Sequence, residues 1–574
     1  MKRLSFNTVT GLALVGLALL LPAGVLIAVL RGSDAAADPA LSQGIWVFRA
    51  VLILTGGYLL LLRVLPVGYP QSPQRPELAT ASQTQTVVFG LVLLVATGLR
   101  LYHLGTGIWY DEILTSVNYM PLTVGQIVST YHDANNHVLF SVLARLSLSV
   151  FGDTVWALRF PAAVFGVAGI AAMYFFARRV GPTQQGLFAA ALMTFSYHHI
   201  WFSQNARGYT ALLFFSVLSS AWFLDAMRQG SPRKWGLYCL AVVLGAYAHP
   251  TMGLMVLAHF AIWAAALFQQ DAARRPYRWN GLFCGFIPVG LLTLLAYALV
   301  LPSMVGGALL NSGLQGSENE WTNPLWALAE VFSSLQIGFA SAGVVFAAGL
   351  VFAAGVVSFA RTRPAVVALF LIPVGVGFIA MTSIGYTLFP RFFFFTFGFA
   401  ILTVIRGAFV IGQLAARLIR LPAPAAGWIP AVLCTGIVAV SILSLRHVYL
   451  PKQDYAGAIA LIEREKQAGD TVLAVGIAGF PFNDYYHMGW DIIETGDDLD
   501  RLAARSGRTW LVYTMPVHAR TTYPDILARI EQEYSPAGRF FGSLGGGEVV
   551  VSLENRGGGP RADDNGSDYL KDSD

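Results

Sequence analysis

The chain predicts a polytopic α-helical membrane protein followed by a small α/β domain. Three observations predict it. Of the 574 residues, 55% are hydrophobic and only 12% charged, against roughly 25% charged in soluble proteins. The apolar residues gather in thirteen runs near the length a bilayer demands, about 20 residues each. After residue 447 the runs give way to short alternating strand and helix patterns. This composition excludes one large soluble core. The net charge of +5 comes mainly from Arg clusters between apolar runs, a topology signal rather than a nucleic-acid footprint. Cys239, Cys284 and Cys434 lie far apart inside apolar runs, which fits buried free thiols and neither a disulfide framework nor a metal site.

The predicted spans are 8–30, 45–65, 84–104, 154–178, 185–202, 209–227, 234–250, 253–268, 279–301, 342–360, 364–386, 391–412 and 428–446. Met1-Lys2-Arg3 ahead of the first run has the look of a secretory signal. The run is long, however, and no small-residue cleavage site precedes Arg31, so it reads as a retained span. Lys and Arg concentrate in cytoplasmic loops. With the N-terminus inside, the inside loops carry Arg63 and Arg75, Arg178-Arg179, Arg228, Arg233 and Lys234, Arg274, Arg275 and Arg278, Arg361 and Arg363, and Arg417 and Arg420. Residues 137–151 set this register. They are apolar but short, with Arg145 in the middle, and fit an amphipathic or re-entrant helix at the outer interface. Parity assigns the stretch around 324–341 the same way. Loops 105–153, 203–208, 249–252, 302–323 and 386–391 then face outside, as does everything past about 447.

The C-terminal pattern is a helix over 454–467, a Gly469-Asp470 turn, a strand over 471–475, a strand over 510–513, a helix over 523–534 and a strand over 548–553. Strand and helix in alternation predict α/β structure. No Walker-type or GxGxxG loop follows a strand, and Gly545-Gly546-Gly547 reads as a turn. The Gly-, Asp- and Ser-rich residues 554–574 read as a disordered tail. The domains are 1–83, a two-helix membrane extension; 84–447, the main membrane domain; 448–553, the α/β domain; and the tail.

Charge near lipid is costly and tends to serve a purpose. Adjacent acids, Asp111 and Glu112, follow Trp109-Tyr110 just beyond a span; taken alone they barely favour chemistry over solvated loop acids capping a helix. His132-Asp133-Ala134-Asn135-Asn136-His137 leads into the interfacial helix, where an Asx-type turn is as good a reading as a pocket wall. Ser203-Gln204-Asn205-Ala206-Arg207-Gly208-Tyr209, Tyr247-Ala248-His249-Pro250 and Pro390-Arg391-Phe392-Phe393 complete the outer set. For a single Arg at a span end, snorkelling to the headgroups is as common as function. His198 and His199 read as interfacial, and Arg159 as a helix-end contact.

Together, with Ala157-Leu158-Arg159-Phe160-Pro161 between them, these elements resemble the membrane glycosyltransferases of the GT-C fold. The nearest branch is the family-39-like bacterial enzymes, related to protein O-mannosyltransferases and lipid A aminoarabinose transferases. The resemblance runs in order from about Thr84 to about Arg406; Gln453-Asp454-Tyr455 and Ala468-Gly469-Asp470 are similar to the outer domain of these proteins. It implies a GT-C-like membrane domain with interfacial helices in a bacterial inner membrane, within a chain whose apolar runs predict about 13 transmembrane helices. Three positions depart from the family: Asn205 stands where many relatives have an acid, Asn136-His137-Val138 where many have Pro-Pro or Pro-Leu, and Phe392 where Tyr is common. The spans 8–30 and 45–65 precede the resembling part.

The resemblance implies transfer of a sugar from a polyprenyl-phosphate donor to a protein, lipid or glycan acceptor at the extracytoplasmic face. Asp111 is then the general base, with Glu112 its catalytic neighbour in an orienting or substrate-binding role. Arg207 and Arg391 would meet the leaving phosphate, with Asp133, Asn135, His137, Gln204, Tyr209 and His249 lining the substrate site. No organic cofactor is implied. Asp111, Glu112, His137 and His249 could hold a divalent cation, but no HExxH-type spacing supports one. Two other classes compete. A transporter or flippase of polyprenyl-linked glycans would place charges at mid-membrane and often shows repeats. A non-catalytic envelope-assembly scaffold would use the outer domain alone.

Overall fold

The computed structural model describes residues 6–32, 38–67, 81–133, 135–268, 279–308, 342–386, 388–503 and 507–555. The expected segment around 324–341 and the tail beyond 555 lie outside these. The chain forms two compact units, residues 1–450 and 451–574.

Unit 1 is helical. Its elements are α1 (Phe6–Leu20), α2 (Ala23–Arg31), α3 (Pro39–Leu61), α4 (Gln83–Leu101), α5 (Tyr110–Tyr119), α6 (Val124–Ile127), α7 (Val138–Phe151), α8 (Val155–Val180) and α9 (Thr183–Phe195). There follow α10 (Tyr197–Ser203), α11 (Tyr209–Gln229), α12 (Pro232–Ala248), α13 (Met252–Leu267) and α14 (Ile287–Tyr297). After residue 341 come α15 (Ala342–Thr362), α16 (Pro364–Ser383), α17 (Phe397–Leu418) and α18 (Trp428–Leu443). The chain is an integral membrane protein in its architecture: among the described residues, eight helices are long and apolar enough to cross a bilayer, or nine if the bent pair α1–α2 is one span.

The span number is where the structure departs from the expected 13. Each predicted run is helical, but apolar content does not report breaks. The 8–30 run bends by 91° between α1 and α2, where Pro22 precedes the second helix and cannot donate to the first. Ser196 splits 185–202 into α9 and α10 and caps α10 by accepting from the His199 amide. Helices α12 and α13 run only 17 and 16 residues, and 279–301 opens as a π-helical turn over Gly281–Phe286. Helix α7 has 14 residues, about 21 Å, short of the roughly 30 Å hydrocarbon core. It packs along α8.

The core of unit 1 is formed by α8, α9, α11, α12 and α17, through residues such as Met173, Phe176, Leu213, Val217, Phe399 and Leu402. Helices α15 and α17 cross at Gly355 and Gly407. A Cβ on Gly355 would strike the Thr403 carbonyl and one on Gly407 the Val351 carbonyl, so only glycine lets these backbones approach.

Four helices run between two chemically different ends. Arg159 opens α8, and Arg178 and Arg179 close it. Arg207 precedes α11, which ends with Arg228. Helix α12 starts at Arg233 and Lys234 and ends at His249. Arg391 lies in the 3₁₀ turn Pro390–Thr396 before α17, and Arg417 lies in its last turn. Polar motif residues therefore share one end, and the basic clusters share the other.

Unit 2 carries a five-stranded sheet in the order β2-β1-β3-β5-β4. Its strands are β1 (Thr471–Val475), β2 (Asp491–Ile493), β3 (Thr509–Thr514), β4 (Tyr534–Phe540) and β5 (Val549–Glu554). Strands β2, β1 and β3 are parallel, and β5 and β4 add antiparallel. Its helices are α19 (Tyr455–Glu465), α20 (Gly496–Ala503), α21 (Pro516–Thr522) and α22 (Pro524–Glu533). The sequence pattern showed β1, β3 and β5, which are apolar, but not β2 or β4. Strand β2 has three residues, and the edge strand β4 contains Pro536 and Gly538 at a register shift, residues that mask a strand pattern. Asp470, in the turn before β1, accepts from Arg508 Nη2 at 2.8 Å and Trp510 Nε1 at 3.0 Å, locking that turn to β3.

Candidate active site

The site is built at the motif-bearing end of unit 1, and Asp111 is its centre. It sits in the first turn of α5, where the helix dipole favours a carboxylate. Asp111 Oδ2 lies 3.2 Å from Arg391 Nη1 and 4.0 Å from Arg207 Nη2. The Arg391 side chain keeps 25% of its surface and Asp111 12%, so the pair remains reachable from outside.

Asn135 ties three pieces together. Its amide nitrogen donates to the Asp111 carbonyl at 2.9 Å and to Thr115 Oγ1 at 3.2 Å. Its side-chain and main-chain oxygens both accept from Arg207 Nη1, the latter at 2.9 Å. Asp133 Oδ1 accepts from the Asn135 amide at 2.7 Å and Tyr119 Oη at 3.2 Å. That is the Asx-type turn, and it positions Asn135.

His137 joins α7 to α11. Its Nδ1 accepts from the Gly208 amide at 2.8 Å, and its Nε2 lies 3.1 Å from Arg207 Nη2. A Cβ on Gly208 would lie 2.6 Å from the Ala248 carbonyl and 2.9 Å from His137 Nδ1, so glycine is needed for this approach. Burial, then the charges of Arg207, His249 and Arg391, hold the His137 pKa well below 6.5. The ring is neutral, consistent with an acceptor at Nδ1. Tyr209 and His249 complete this wall, with ring centroids 5.2 Å and 4.7 Å from that of His137. Arg391 lies over Phe389 at 4.2 Å and beside Trp109 and Phe392 at 5.9 Å each.

Arg207 Nε, Arg391 Nε and Tyr209 Oη are buried donors with no hydrogen-bond acceptor among the described residues. A cluster of cationic and hydroxyl donors around one carboxylate suits an anionic group.

Asp111, Asn135, His137, Arg207, Tyr209, His249 and Arg391 thus converge, with Asp133 behind them. Two expected members do not. Glu112 is fully buried and paired with Arg159, which donates from Nε at 2.7 Å and Nη2 at 2.6 Å. It also accepts from the Ala206 amide at 2.6 Å. There it fastens the first loop to the loop that carries Arg207. Gln204 donates to the Arg100 and Tyr102 carbonyls at 3.1 and 2.6 Å, fixing the end of α4 instead of lining the pocket. Adjacent residues on a helix point about 100° apart, so the two acids of one motif face different surroundings. Asn205, the departure from the family pattern, is fully buried and accepts from Trp109 Nε1 at 3.1 Å. An acid in its place would face that indole.

Residue-by-residue reading missed Trp109, Thr115 and Phe389 as site walls, and the bridging part played by Arg159. The Ala157–Pro161 motif was the available signal for Arg159. Among the described residues, no group of three or more His, Cys, Asp or Glu could hold a metal ion. The cation set weighed from the sequence does not assemble, because Glu112 is spent on Arg159 and Asp111 faces two guanidiniums.

Residues 137–293, about a quarter of the chain, match the family model of dolichyl-phosphate-mannose-protein mannosyltransferases. No curated protein matches the chain. Among solved structures it is similar to ArnT from Cupriavidus metallidurans bound to undecaprenyl phosphate, at 14% identity and TM-score 0.46, covering 84% of this chain and 100% of that one. It is also similar to the apo oligosaccharyltransferase of Archaeoglobus fulgidus, at 12% identity and TM-score 0.49, covering 80% and 74%. The chain thus resembles GT-C membrane glycosyltransferases in its family-model match as well as in its motifs.

Proposed function

We propose that the protein transfers a sugar from a polyprenyl-phosphate-linked donor to a hydroxyl or amine acceptor at the extracytoplasmic membrane face. The observation that carries this reading is Asp111 held between Arg391 and Arg207, with Asp111 and Arg391 both partly exposed. In the reaction, the bond between the anomeric carbon and the lipid phosphate oxygen breaks, and its electron pair stays on the phosphate. The acceptor oxygen or nitrogen bonds to that carbon, and its proton passes to Asp111. Arg391 and Arg207 stabilise the phosphate as its charge grows. Their attraction to phosphate also loosens their hold on Asp111, which frees the carboxylate to act as base. His137, fixed by the Gly208 amide at Nδ1, packs beside Arg207. Asn135 sets the distance between the Asp111 helix and Arg207.

The family match on 137–293, the ordered motifs and the donor cluster support this reading. The basic helix ends opposite the site support a cytoplasmic assignment for that end, and so an outward-facing site in an inner membrane with the N-terminus inside. The transporter reading finds less support. Halfway along α13, His259 is fully buried, with Nε2 2.9 Å from Ser220 Oγ, closed inside the bundle.

The test is a reaction of the purified protein in lipid nanodiscs with a panel of polyprenyl-phosphate sugars, both hexoses and pentoses, and candidate acceptors. The reading expects one donor class to be consumed by the wild type and spared by Asp111→Asn of unchanged melting temperature. Full transfer by that variant would remove Asp111 as the base.

A further inference from the structure

The far end of unit 1 holds a feature the proposed chemistry does not use. A cavity of about 390 Å³ lies between the last turns of α11 and α13 and the first half of α16, within the roughly 300–1,000 Å³ range of ligand sites. Eleven of its twelve lining residues are apolar, among them Phe223, Met227, Ala265, Ala365 and Ile372; the twelfth is Arg228. From Pro364 to Ile372 its α16 wall rises about 12 Å. Alanines on α13 and α16 create the space.

The surroundings of the mouth are cationic. Arg228 donates to the Arg179 carbonyl at 3.1 Å. Exposed Arg363 immediately precedes α16. Asp225 beside them is already engaged by Arg179 at 3.0 Å and Lys234 at 3.8 Å. The slot is apolar except for Arg228, and the charge at its mouth favours a negative headgroup. Basic pockets between transmembrane helices at such an end recognise anionic lipids.

We infer that this groove binds an anionic phospholipid, with one acyl chain between α11, α13 and α16 and the phosphate on Arg228. The site is independent of the sugar-transfer reading. Helix α11 has 21 residues, which puts about 30 Å between this groove and Arg207.

Native mass spectrometry of the full chain tests it, after equilibration with equal phosphatidylglycerol and phosphatidylcholine. The wild type should retain phosphatidylglycerol preferentially. Arg228→Gln should lower that retention about fivefold, the equivalent of about 1 kcal/mol per basic residue near a lipid surface. Ala265→Phe, at an exposed wall position, should abolish it by filling the slot; Ile372→Trp is the second filling variant should the first not fold. Equal retention of the two lipids, or unchanged retention in Arg228→Gln, would overturn the inference. So would displacement of phosphatidylglycerol from the wild type by an equal amount of polyprenyl phosphate.

Discussion

The two ends of the helical bundle use the same residue type in opposite ways. At the motif end, Arg159, Arg207 and Arg391 each meet a carboxylate, at 2.6, 4.0 and 3.2 Å. At the other end Arg179 is paired with Asp225 at 3.0 Å, but Arg228, Arg361, Arg363 and Arg417 are exposed at helix termini. Burying a guanidinium is costly unless it is paired, so the first end spends folding energy on placement that the second does not. Charge at the second end needs only to face the headgroups, while charge at the first must be aimed. That contrast teaches where chemistry belongs in this molecule.

The contrast can be broken from the motif end first. Asp111→Asn should cut sugar transfer by about 10²–10⁴-fold with an unchanged melting temperature, read by product formation and by thermal unfolding in detergent. Glu112→Gln should act on the fold instead, costing about 3–5 kcal/mol by stranding Arg159. Unfolding with and without Arg159→Met, which removes the stranded charge, checks this; the double variant should recover part of the loss. Arg391→Ala should lower kcat by about 10²-fold, and Arg391→Lys should recover part of it, since a point charge replaces a fork.

The smaller effects sharpen the comparison. His137 has a folded pKa below its ordinary 6.5, so below about pH 6.5 the unfolded chain binds the proton and the folded chain resists it. Stability should then fall as the pH drops from 7 toward 5. His518 in unit 2 is shifted the same way by burial. The difference between wild type and His137→Gln over that range isolates the share of His137. Arg417→Gln, at the other end, should change stability by no more than about 0.5 kcal/mol and leave transfer intact; a large loss there would erase the distinction between the ends.

How much of this was legible depends on the residue. Arg207 and Arg391 could be picked out because a charge beside an apolar run is rare. Glu112 could not be separated from Asp111, since identical chemistry one position apart diverges only through the turn of α5. Gln204 lay in the right motif, yet two carbonyls of α4 claim it. Nothing in residues 185–202 announces the break at Ser196 that separates α9 from α10 and leads into the Arg207 loop.

The sequence by itself determined that this chain is a helical membrane protein with an α/β appendage, and which motifs gather at one end. Apolar run length and the Lys/Arg bias are one-dimensional properties with direct energetic meaning in a bilayer. Only the tertiary structure decided which acid faces the cleft, which span candidates are long enough, and that β2 and β4 complete the sheet. Those outcomes rest on helix phase, on breaks in hydrogen bonding and on partners far apart in sequence, as in the Asp111–Arg391 pair.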